Sequence, residues 1–296
     1  MTDRLRRTML FVPGGNEKIF NKALGLGVDG LILDLEDSVA LERKDSAREV
    51  VSEIVKGVDF GTKEKVVRIN ALSTDFGHED MKKVIPGRPD TLLIPKVERA
   101  EEIIDCDQFI SEVEKRADLP IGGIGLIALI ESPLAIFNIE NIALATPRMN
   151  GLLFGAADFT RETGGKITGN RQELFYPLMR ILLAARIAGI DALDTPYFDL
   201  NDPEGLKRHA EQAKNMGYDG KALIHPSQVE IVNDIFTPTL EEIQFARKVI
   251  AAFQSAREAG KGVVQLDGKV IENVHVAVAE KMLKIAARAG LEAEGR

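Results

Sequence analysis

Cysteine is nearly absent from this sequence, in which Cys106 is the single one among 296 residues. A disulfide within the chain and a zinc site built from several cysteines are therefore excluded. The four histidines show no HxxxH spacing, so a helical histidine pair for zinc is not expected. Long apolar runs are also missing, and none approaches the ~18–20 residues of a membrane-spanning helix.

Positive charge is in deficit, with 38 Lys and Arg against 46 Asp and Glu and a formal net charge of −8. Nucleic-acid binding needs basic residues clustered on one face, so no nucleic-acid partner is expected. Near the start, residues 9–12 form an apolar run too short for the core of a signal peptide. We therefore expect a cytoplasmic protein of a reducing compartment, without a membrane partner.

Short apolar runs bounded by turn residues recur eight times, and each is followed by an amphipathic segment. They lie at residues 8–14, 30–39, 65–70, 91–98, 123–132, 151–159, 189–197 and 220–228. Most are apolar over nearly their whole length, as in a parallel sheet buried on both faces. Eight alternations of strand and helix predict an α/β fold, a closed (β/α)₈ TIM barrel.

The pattern changes after the eighth unit. A helix with Thr239 as N-cap, an Asp-Gly pair typical of a tight hairpin, and a second helix follow one another. We therefore predict a catalytic barrel domain at 1–236 and a C-terminal helix–hairpin–helix lid at 237–296. So small an extension has little core of its own, and it is expected to pack on its own barrel or on a neighbour's.

Most predicted strands are apolar at the start and polar at the end. Strand ends converge at the carboxyl-terminal face of a barrel, where such enzymes carry their active sites. The sequence therefore predicts one cluster of charge at that face, and capping or hydration of strand ends is the alternative for any single member. The polar residues at these ends are Asp34, Glu36, Asp37, Arg68, Asn70, Lys96, Glu98, Glu131, Asp158, Asp194 and His225.

Glu131 and Asp158 end adjacent predicted strands. Because neighbouring strands lie about 5 Å apart, two such carboxylates can point into the same space. Mg²⁺ binds one or two carboxylates and completes its shell with water and substrate oxygens. We predict a Mg²⁺ site there, with Mn²⁺ as an alternative ion. Pairing of Glu131 with Arg68 or Lys96 is the competing interpretation.

Arg68 and Lys96 are the cations of this cluster. The planar fork of Arg68 matches a substrate carboxylate or a developing oxyanion. Glu36 and Asp37 end the neighbouring strand, so a buried ion network around Arg68 is an alternative that is compatible with ligand binding. A desolvated Lys96 would allow Schiff-base chemistry, but the nearby acids predict that its amine stays protonated.

A glycine pair joins the first predicted strand to the first helix, in the segment PGGNEKIFNKA. Glycines let a ligand approach the backbone, and the following helical amides favour phosphate. Arg6, Arg7, Lys18 and Lys22 add positive charge, which is consistent with a phosphorylated ligand tail, although a solvated helix face is the alternative for Lys22. A second glycine-rich stretch at 163–170 is either a mobile rim of the site or a plain surface loop.

Seven segments, in this order and at these intervals, carry a resemblance to a known family: RTMLFVPGG, LILDLEDSV, RIN, LLIPKVE, ALIESP, FGAADF and ALIHPSQ. Over almost the whole chain the sequence resembles the citrate lyase β-subunit family. This branch of the HpcH/HpaI aldolase superfamily includes citryl-, malyl- and citramalyl-CoA lyases. The resemblance implies Mg²⁺-dependent cleavage or formation of a 3-hydroxy-3-carboxyacyl-CoA thioester, with acyl-CoA and a 2-oxo acid as products, by a homotrimer or hexamer.

The resemblance also implies roles for individual residues. The metal ligands of the family correspond to Glu131 and Asp158, and its substrate-binding arginine corresponds to Arg68. The backbone of residues 155–157 would face the 2-oxo acid. The full substrate-binding set is Arg68, Gly155, Ala156, Ala157, Glu36, Asp37 and Lys96, and the candidates for the CoA tail are Arg7 and Lys18.

In the CoA lyases of this family, the lid of a neighbouring subunit supplies an acidic residue near a DGKMID-like motif. The corresponding segment here is LDGKVIE, in which Glu272 stands where an aspartate is usual. We predict Glu272 as the general acid–base and Arg68 as the second catalytic residue, with lids exchanged between subunits. The departure leaves open a thioesterase-like or altered-substrate variant. Separate alternatives are a class II aldolase acting on 4-hydroxy-2-oxo acids without CoA and a non-catalytic subunit of a lyase complex.

Overall fold

Eight parallel strands form a closed barrel in the computed structural model, which describes residues 4–291. The strands are β1 (Thr8–Pro13), β2 (Gly30–Asp34), β3 (Glu64–Arg68), β4 (Thr91–Ile94), β5 (Gly125–Ile130), β6 (Met149–Phe154), β7 (Asp191–Asp194) and β8 (Gly220–Leu223). Each strand pairs with the next one along the chain, and β1 pairs with β8 to close the circle. The predicted TIM barrel is therefore confirmed.

Helices between the strands form the outer layer of the barrel. They are α1 (Glu17–Leu24), α2 (Lys44–Gly57), α3 (Asp75–Val84), α4 (Ala100–Arg116), α5 (Pro133–Phe137), α6 (Ile139–Ala143), α7 (Ala156–Thr163), α8 (Phe175–Ala188), α9 (Pro203–Met216) and α10 (Val229–Phe236). Two helices follow β5 and two follow β6. Within residues 4–291, none of the helices combines the length and apolarity needed to cross a membrane.

One layer of apolar side chains fills the barrel and determines which residues face its mouth. It contains a buried residue from each strand: Met9, Ile32, Val66, Leu93, Ile127, Leu153, Leu193 and Ala222, with Leu129 as a second residue from β5. Side chains alternate along a strand, so the residue two positions further on points inward as well, one level nearer the carboxyl-terminal end. Arg68 follows Val66 in this way, and Glu131 follows Leu129.

Buried charges fill the opposite, amino-terminal end of the barrel. Arg6 binds both carboxylate oxygens of Glu64 at 2.7 Å, and its Nη1 contacts Asp191 at 3.1 Å and the carbonyl oxygen of Asn150 at 2.7 Å. Glu64 and Asp191 begin β3 and β7. Arg6 therefore joins distant strands at this end and lies far from any ligand at the barrel mouth.

The chain divides into two compact units, Met1–Asn233 and Asp234–Arg296. This division is close to the predicted boundary after residue 236, and the outermost residues of the two predicted domains, 1–3 and 292–296, lie outside the described part of the chain. The second unit contains α11 (Leu240–Glu258), β9 (Val264–Leu266), β10 (Lys269–Ile271) and α12 (Asn273–Arg288). The predicted helix–hairpin–helix arrangement is confirmed.

Local sequence signals explain the elements of the second unit. Thr239 caps α11 reciprocally with Glu242: the Glu242 amide donates to Thr239 Oγ1 at 3.1 Å, and the Thr239 amide donates to the Glu242 carboxylate at 2.8 Å. Asp267 and Gly268 have φ values of 47° and 78°, as a tight hairpin turn between β9 and β10 requires. A small core that includes Val249 and Ile271 holds the helices and hairpin together.

We predict that Arg6→Ala strongly destabilises the barrel, because it leaves Glu64 buried without the cation that binds both of its carboxylate oxygens. Removing one partner of a buried ion pair costs about 3–5 kcal/mol. The matched control is Arg4→Ala, whose partly exposed pair with Asp90 is expected to contribute about 0–1 kcal/mol. Urea unfolding of both variants measures the difference, and equal midpoints would show that the Arg6 cluster does not stabilise the barrel.

Candidate active site

A cavity of about 450 Å³ opens at the carboxyl-terminal ends of the strands. Its volume is within the range of small-molecule sites. Besides Leu129, which belongs to the core layer itself, seven lining residues lie two positions beyond a residue of that layer: Phe11, Asp34, Arg68, Glu131, Gly155, Thr195 and Ile224. The strand periodicity that fills the barrel therefore also builds the floor of the cavity.

Charge of one sign dominates this cavity. Its lining includes four carboxylates, those of Asp34, Asp37, Glu131 and Asp158, and among the described residues that line it Arg68 is the one cation. The cavity brings together the predicted metal ligands and the predicted substrate-binding arginine. Such a wall attracts a cation far more strongly than it attracts a free anion.

Glu131 directly follows β5, and 5% of the residue is exposed. Its Oε1 accepts a hydrogen bond from the backbone amide of Lys96 at 2.8 Å. Burial, together with the charges of Glu36 and Asp158, raises the pKa of Glu131 to about 8, although the Lys96 amide and Arg68 act to lower it. Within residues 4–291, no side-chain cation lies within salt-bridge distance of Glu131, contrary to the alternative of pairing with Arg68 or Lys96.

Gly155 is the turn between β6 and α7, and its backbone lies directly against Glu131. A methyl group at this position would lie 2.6 Å from Glu131 Cβ and 2.8 Å from Glu131 Oε2. Contacts this short do not occur between non-bonded carbon atoms, so only glycine allows the two strand ends to approach. The approach brings α7 close to the buried carboxylate.

Asp158 lies in the first turn of α7 and not at the end of a strand. The prediction that it ends a strand was wrong, because β6 stops at Phe154 and the alanines after Gly155 are strong helix formers. Asp158 Oδ1 contacts Arg161 Nη1 at 2.7 Å, and the Arg161 side chain is 70% exposed. Exposed pairs of this kind contribute about 0–1 kcal/mol, so this carboxylate is readily available to another cation.

Arg68 is held by three carboxylates. Its Nε and Nη2 contact Asp34 at 2.6 and 2.7 Å, and its Nη1 contacts Glu36 at 3.0 Å and Asp37 at 3.2 Å. Burial alone would lower the pKa of Arg68, but these carboxylates raise it above its usual value. The Phe11 ring lies 4.9 Å from the guanidinium carbon. The buried network expected as one alternative is present, and Arg68 still lines the cavity.

Lys96 supports the same network from the rim. Its Nζ contacts Glu36 at 2.9 Å, and this hydrogen bond is the main cause that raises the pKa of Lys96. Its backbone has a φ of 55°, a left-handed conformation that aims the Lys96 amide at Glu131. Because a Schiff base requires a neutral amine, these contacts favour the predicted protonated Lys96 over imine chemistry.

Other predicted residues lie outside the cavity lining. Arg7 precedes β1 at the amino-terminal end of the barrel and contacts Asp29 at 2.7 and 2.9 Å, so the structure does not place it near the mouth. Lys18 is exposed in the first turn of α1, which follows β1 and therefore begins at the cavity end of the barrel. Glu272 belongs to the second unit, where it is exposed at the start of α12 and its amide donates to His275 Nδ1 at 3.0 Å.

The backbone amides of the predicted 2-oxo acid site are partly engaged within the protein. The Gly155 amide donates to the Ile130 carbonyl at 2.9 Å, and the Ala156 amide donates to Thr195 Oγ1 at 3.2 Å. That the backbone of residues 155–157 faces the 2-oxo acid stays a prediction, with the Gly155 and Ala156 amides already paired within the protein. These residues still line the cavity.

Several residues of the wall carry no charge and for that reason are not among the predicted site residues. Phe11, Thr195 and Ile224 occupy the same level as Arg68 and Glu131, and Phe198 lies in the loop after β7. The signal that identifies the first three is periodicity: each lies two positions after an inward-facing apolar residue of its strand. Nothing comparable marks Phe198.

We predict that Gly155→Ala displaces Glu131 and weakens binding of a divalent cation in the cavity by tenfold or more, the order of loss seen when support for a metal ligand is removed. The control is Gly165→Ala in the following loop, where a methyl group would meet only the Thr163 hydroxyl, at 3.4 Å. Calorimetric titration with Mn²⁺ measures both variants. Unchanged binding in Gly155→Ala would show that this contact does not shape the site.

Known proteins resemble this chain over most of its length. The family model for HpcH/HpaI aldolase/citrate lyase matches residues 7–226. Citrate lyase subunit beta of Leuconostoc mesenteroides subsp. cremoris is 41% identical over 284 residues, which are 96% of this chain and 94% of that protein. The (3S)-malyl-CoA thioesterase of Cereibacter sphaeroides (strain ATCC 17029 / ATH 2.4.9) is 38% identical over 277 residues, 94% of this chain and 93% of that one.

A solved structure is similar over the same extent. Protein CitE from Mycobacterium tuberculosis, in complex with magnesium, acetoacetate and coenzyme A, is 31% identical and superposes with a TM-score of 0.77, covering 98% of this chain and 100% of that chain. The family model and these relatives confirm the resemblance found in the sequence. The chain belongs to the HpcH/HpaI aldolase/citrate lyase family of enzymes.

Proposed function

We propose that this protein is a Mg²⁺-dependent carbon–carbon lyase acting on CoA thioesters. It cleaves or forms a 3-hydroxy-3-carboxyacyl-CoA thioester, with an acyl-CoA and a 2-oxo acid as the other side of the reaction. The observation that carries the proposal is the pair of carboxylates, Glu131 and Asp158, that faces one cavity beside Arg68. The relative crystallised with magnesium, acetoacetate and coenzyme A supports it.

The residues of the cavity fit a hard divalent ion. Glu131 is buried without a side-chain cation among the described residues, and burial, followed by the charge of Glu36, raises its pKa. Within residues 4–291 no group of three or more His, Cys, Asp or Glu side chains is arranged as a metal site. Two carboxylates with open positions suit Mg²⁺, which usually retains water and substrate oxygens. Glu131 and Asp158 would hold the ion, and Mn²⁺ would serve in its place.

The bound ion would supply a Lewis acid for the oxygen that becomes the carbonyl of the 2-oxo acid. Arg68 supplies fixed positive charge for the substrate carboxylate or for the same oxygen. An arginine has five N–H donors, and the hydrogen bonds to Asp34 and Asp37 engage three of them, while Glu36 adds an ion pair at 3.0 Å. Donor capacity is thus left for a ligand. Because the carboxylates and Phe11 already hold the guanidinium, little reorganisation is needed.

The apolar part of the wall limits the access of water. Phe11, Leu153, Phe198 and Ile224 lie around the charged groups. Exclusion of water strengthens each electrostatic interaction inside the cavity and protects a thioester enolate from unwanted protonation. Glu36, Asp37 and protonated Lys96 are proposed to support substrate binding by holding Arg68 and the Glu131 loop in place.

Proton transfer requires a further group. Cleavage transfers the proton of the 3-hydroxyl group to water and breaks the bond between carbons 2 and 3. The electron pair of that bond stays on carbon 2, which then takes up a proton. We assign this last transfer, and its reverse in synthesis, to Glu272. The assignment requires an oligomer in which the C-terminal unit of one subunit serves the cavity of another, a trimer or hexamer.

Lys18 is the proposed contact of the CoA phosphates, and Arg7 is withdrawn from that role.

A thioesterase is the second candidate, favoured by the 38% identity to the (3S)-malyl-CoA thioesterase. In that reaction water attacks the thioester carbonyl, and free CoA and a hydroxy acid are the products. Incubation with citryl-, malyl- and citramalyl-CoA, followed by product analysis, distinguishes the lyase activity from the thioesterase activity. A 2-oxo acid with acyl-CoA indicates a lyase, and free CoA without a 2-oxo acid indicates a thioesterase. Cleavage of 4-hydroxy-2-oxo acids alone would indicate an aldolase, and inactivity would indicate a subunit of a complex.

We predict that EDTA abolishes turnover and that Mg²⁺ or Mn²⁺ restores it. Glu131→Gln and Asp158→Asn should each lose metal affinity in calorimetric titrations, because each removes a charged ligand from a pair. The matched control is Glu162→Gln, which removes an exposed carboxylate of α7 outside the cavity lining. Full activity in EDTA would remove the basis of the proposed reaction.

We predict that Glu272→Gln retains Mn²⁺ binding and lowers kcat by about 10²–10⁴, the usual contribution of general acid–base catalysis. Glu280→Gln, an exposed position on the same helix, is the control with an expected wild-type rate. Steady-state kinetics and solvent-proton exchange into the acyl-CoA methyl group measure the effect. A wild-type rate and wild-type proton exchange in Glu272→Gln would assign the proton transfer to another residue.

A further inference from the structure

A cluster of three fully buried charges lies behind the end of β7, outside the cavity lining. Arg171, Asp194 and Lys221 have no exposed surface. Arg171 Nη1 contacts the two oxygens of Asp194 at 2.8 and 2.9 Å, and Lys221 Nζ donates to Asp194 Oδ2 at 2.6 Å. Two cations thus share one carboxylate in the interior of the protein.

Stability alone does not explain the second cation. Arg171 and Asp194 form a balanced pair, whereas Lys221 brings in a charge whose desolvation is costly. The excess of positive charge is also visible at His209: burial first, and then the charges of Arg171 and Lys221, lower the pKa of His209 to about 4. The contacts of Lys221 other than the one with Asp194 therefore indicate the role of the cluster.

Lys221 holds the residue that follows Asp194. Its Nζ also donates to the backbone carbonyl oxygen of Thr195 at 2.5 Å. Thr195 is 2% exposed and lines the cavity, and its Oγ1 accepts a hydrogen bond from the Ala156 amide at 3.2 Å. Ala156 is the first residue of α7, and Asp158 lies in that same turn.

We propose that Thr195 is a positioning residue that fixes the first turn of α7, and with it the direction of the Asp158 carboxylate toward the cavity. The inference rests on the proposed metal site. The hydrogen bonds run without interruption from Lys221 through Thr195 to Ala156. Lys221 restrains the backbone, and the hydroxyl transmits that restraint to the helix. Outer-shell partners of this kind typically change metal affinity by about 10–100-fold.

The first test compares Thr195→Val with Thr195→Ser. Valine keeps the shape of threonine but cannot accept the Ala156 amide, and serine retains the hydroxyl. In metal-free protein, hydrogen exchange of the Ala156 amide should be faster in Thr195→Val and unchanged in Thr195→Ser. Mn²⁺ affinity, measured by electron paramagnetic resonance without any organic ligand, should fall about tenfold in Thr195→Val and remain at the wild-type value in Thr195→Ser.

A second variant changes a residue that does not line the cavity, so that a direct effect of the substitution on the cavity wall is excluded. Lys221→Met removes the ammonium group and leaves the balanced pair of Arg171 and Asp194. We expect a thermal midpoint at or above that of the wild type, together with faster Ala156 exchange and weaker Mn²⁺ binding. A purely structural role would lower the thermal midpoint and leave the affinity of the folded fraction unchanged.

The outcomes distinguish this inference from the proposed function. Absence of Mn²⁺ binding in the wild type would overturn both. Wild-type binding that persists unchanged in Thr195→Val and Lys221→Met would overturn the positioning role alone. Equal losses in Thr195→Val and Thr195→Ser would also overturn it, because the hydroxyl would then not be the cause.

Discussion

The close approach of Gly155 to Glu131 is the contact on which the arrangement of the site depends. It brings the end of β6 against a carboxylate that is buried without a side-chain cation among the described residues. The same approach starts α7 next to Glu131 and so places Asp158 on the wall of the same cavity. Burial and crowding of negative charge disfavour this arrangement unless positive charge enters the cavity. An anion-rich site with one firmly held arginine is the result.

The positive charges around this site are held at different depths, which gives each a different use. Arg68 is locked by Asp34 and supplies charge that does not move. Lys96 reaches Glu36 from a partly exposed position, where water weakens the ion pair. Arg161 contacts Asp158 from the surface, where an ion pair is weak enough to be exchanged. Preorganised charge and exchangeable charge are thus separated within one cavity.

Much of the fold and part of the site follow from the sequence, for identifiable reasons. Strand periodicity and eight alternations give the barrel, and charge at strand ends gives Arg68 and Glu131. The residues two positions after the core residues also include Phe11 and Thr195. These two line the cavity but carry no charge, so a search for charged residues misses them. Asp158 shows the limit of prediction from strand ends, because β6 ends before Gly155 and a helix begins directly after it. Asp158 therefore lies in the helix. Arg7 shows another: a basic residue just before a strand lies at the end of the barrel opposite the site.

The Arg6 cluster has a consequence for how the barrel closes. Its contact with Asp191 joins residues separated by 185 positions in the chain, so this part of the fold forms only after β7 has been synthesised. Gly220 makes room for the same segment, because a side chain there would collide with the Arg6 carbonyl. The amino-terminal strand can therefore complete its contacts only after the last strands have been synthesised. During synthesis, the unfinished barrel exposes two open sheet edges to other chains.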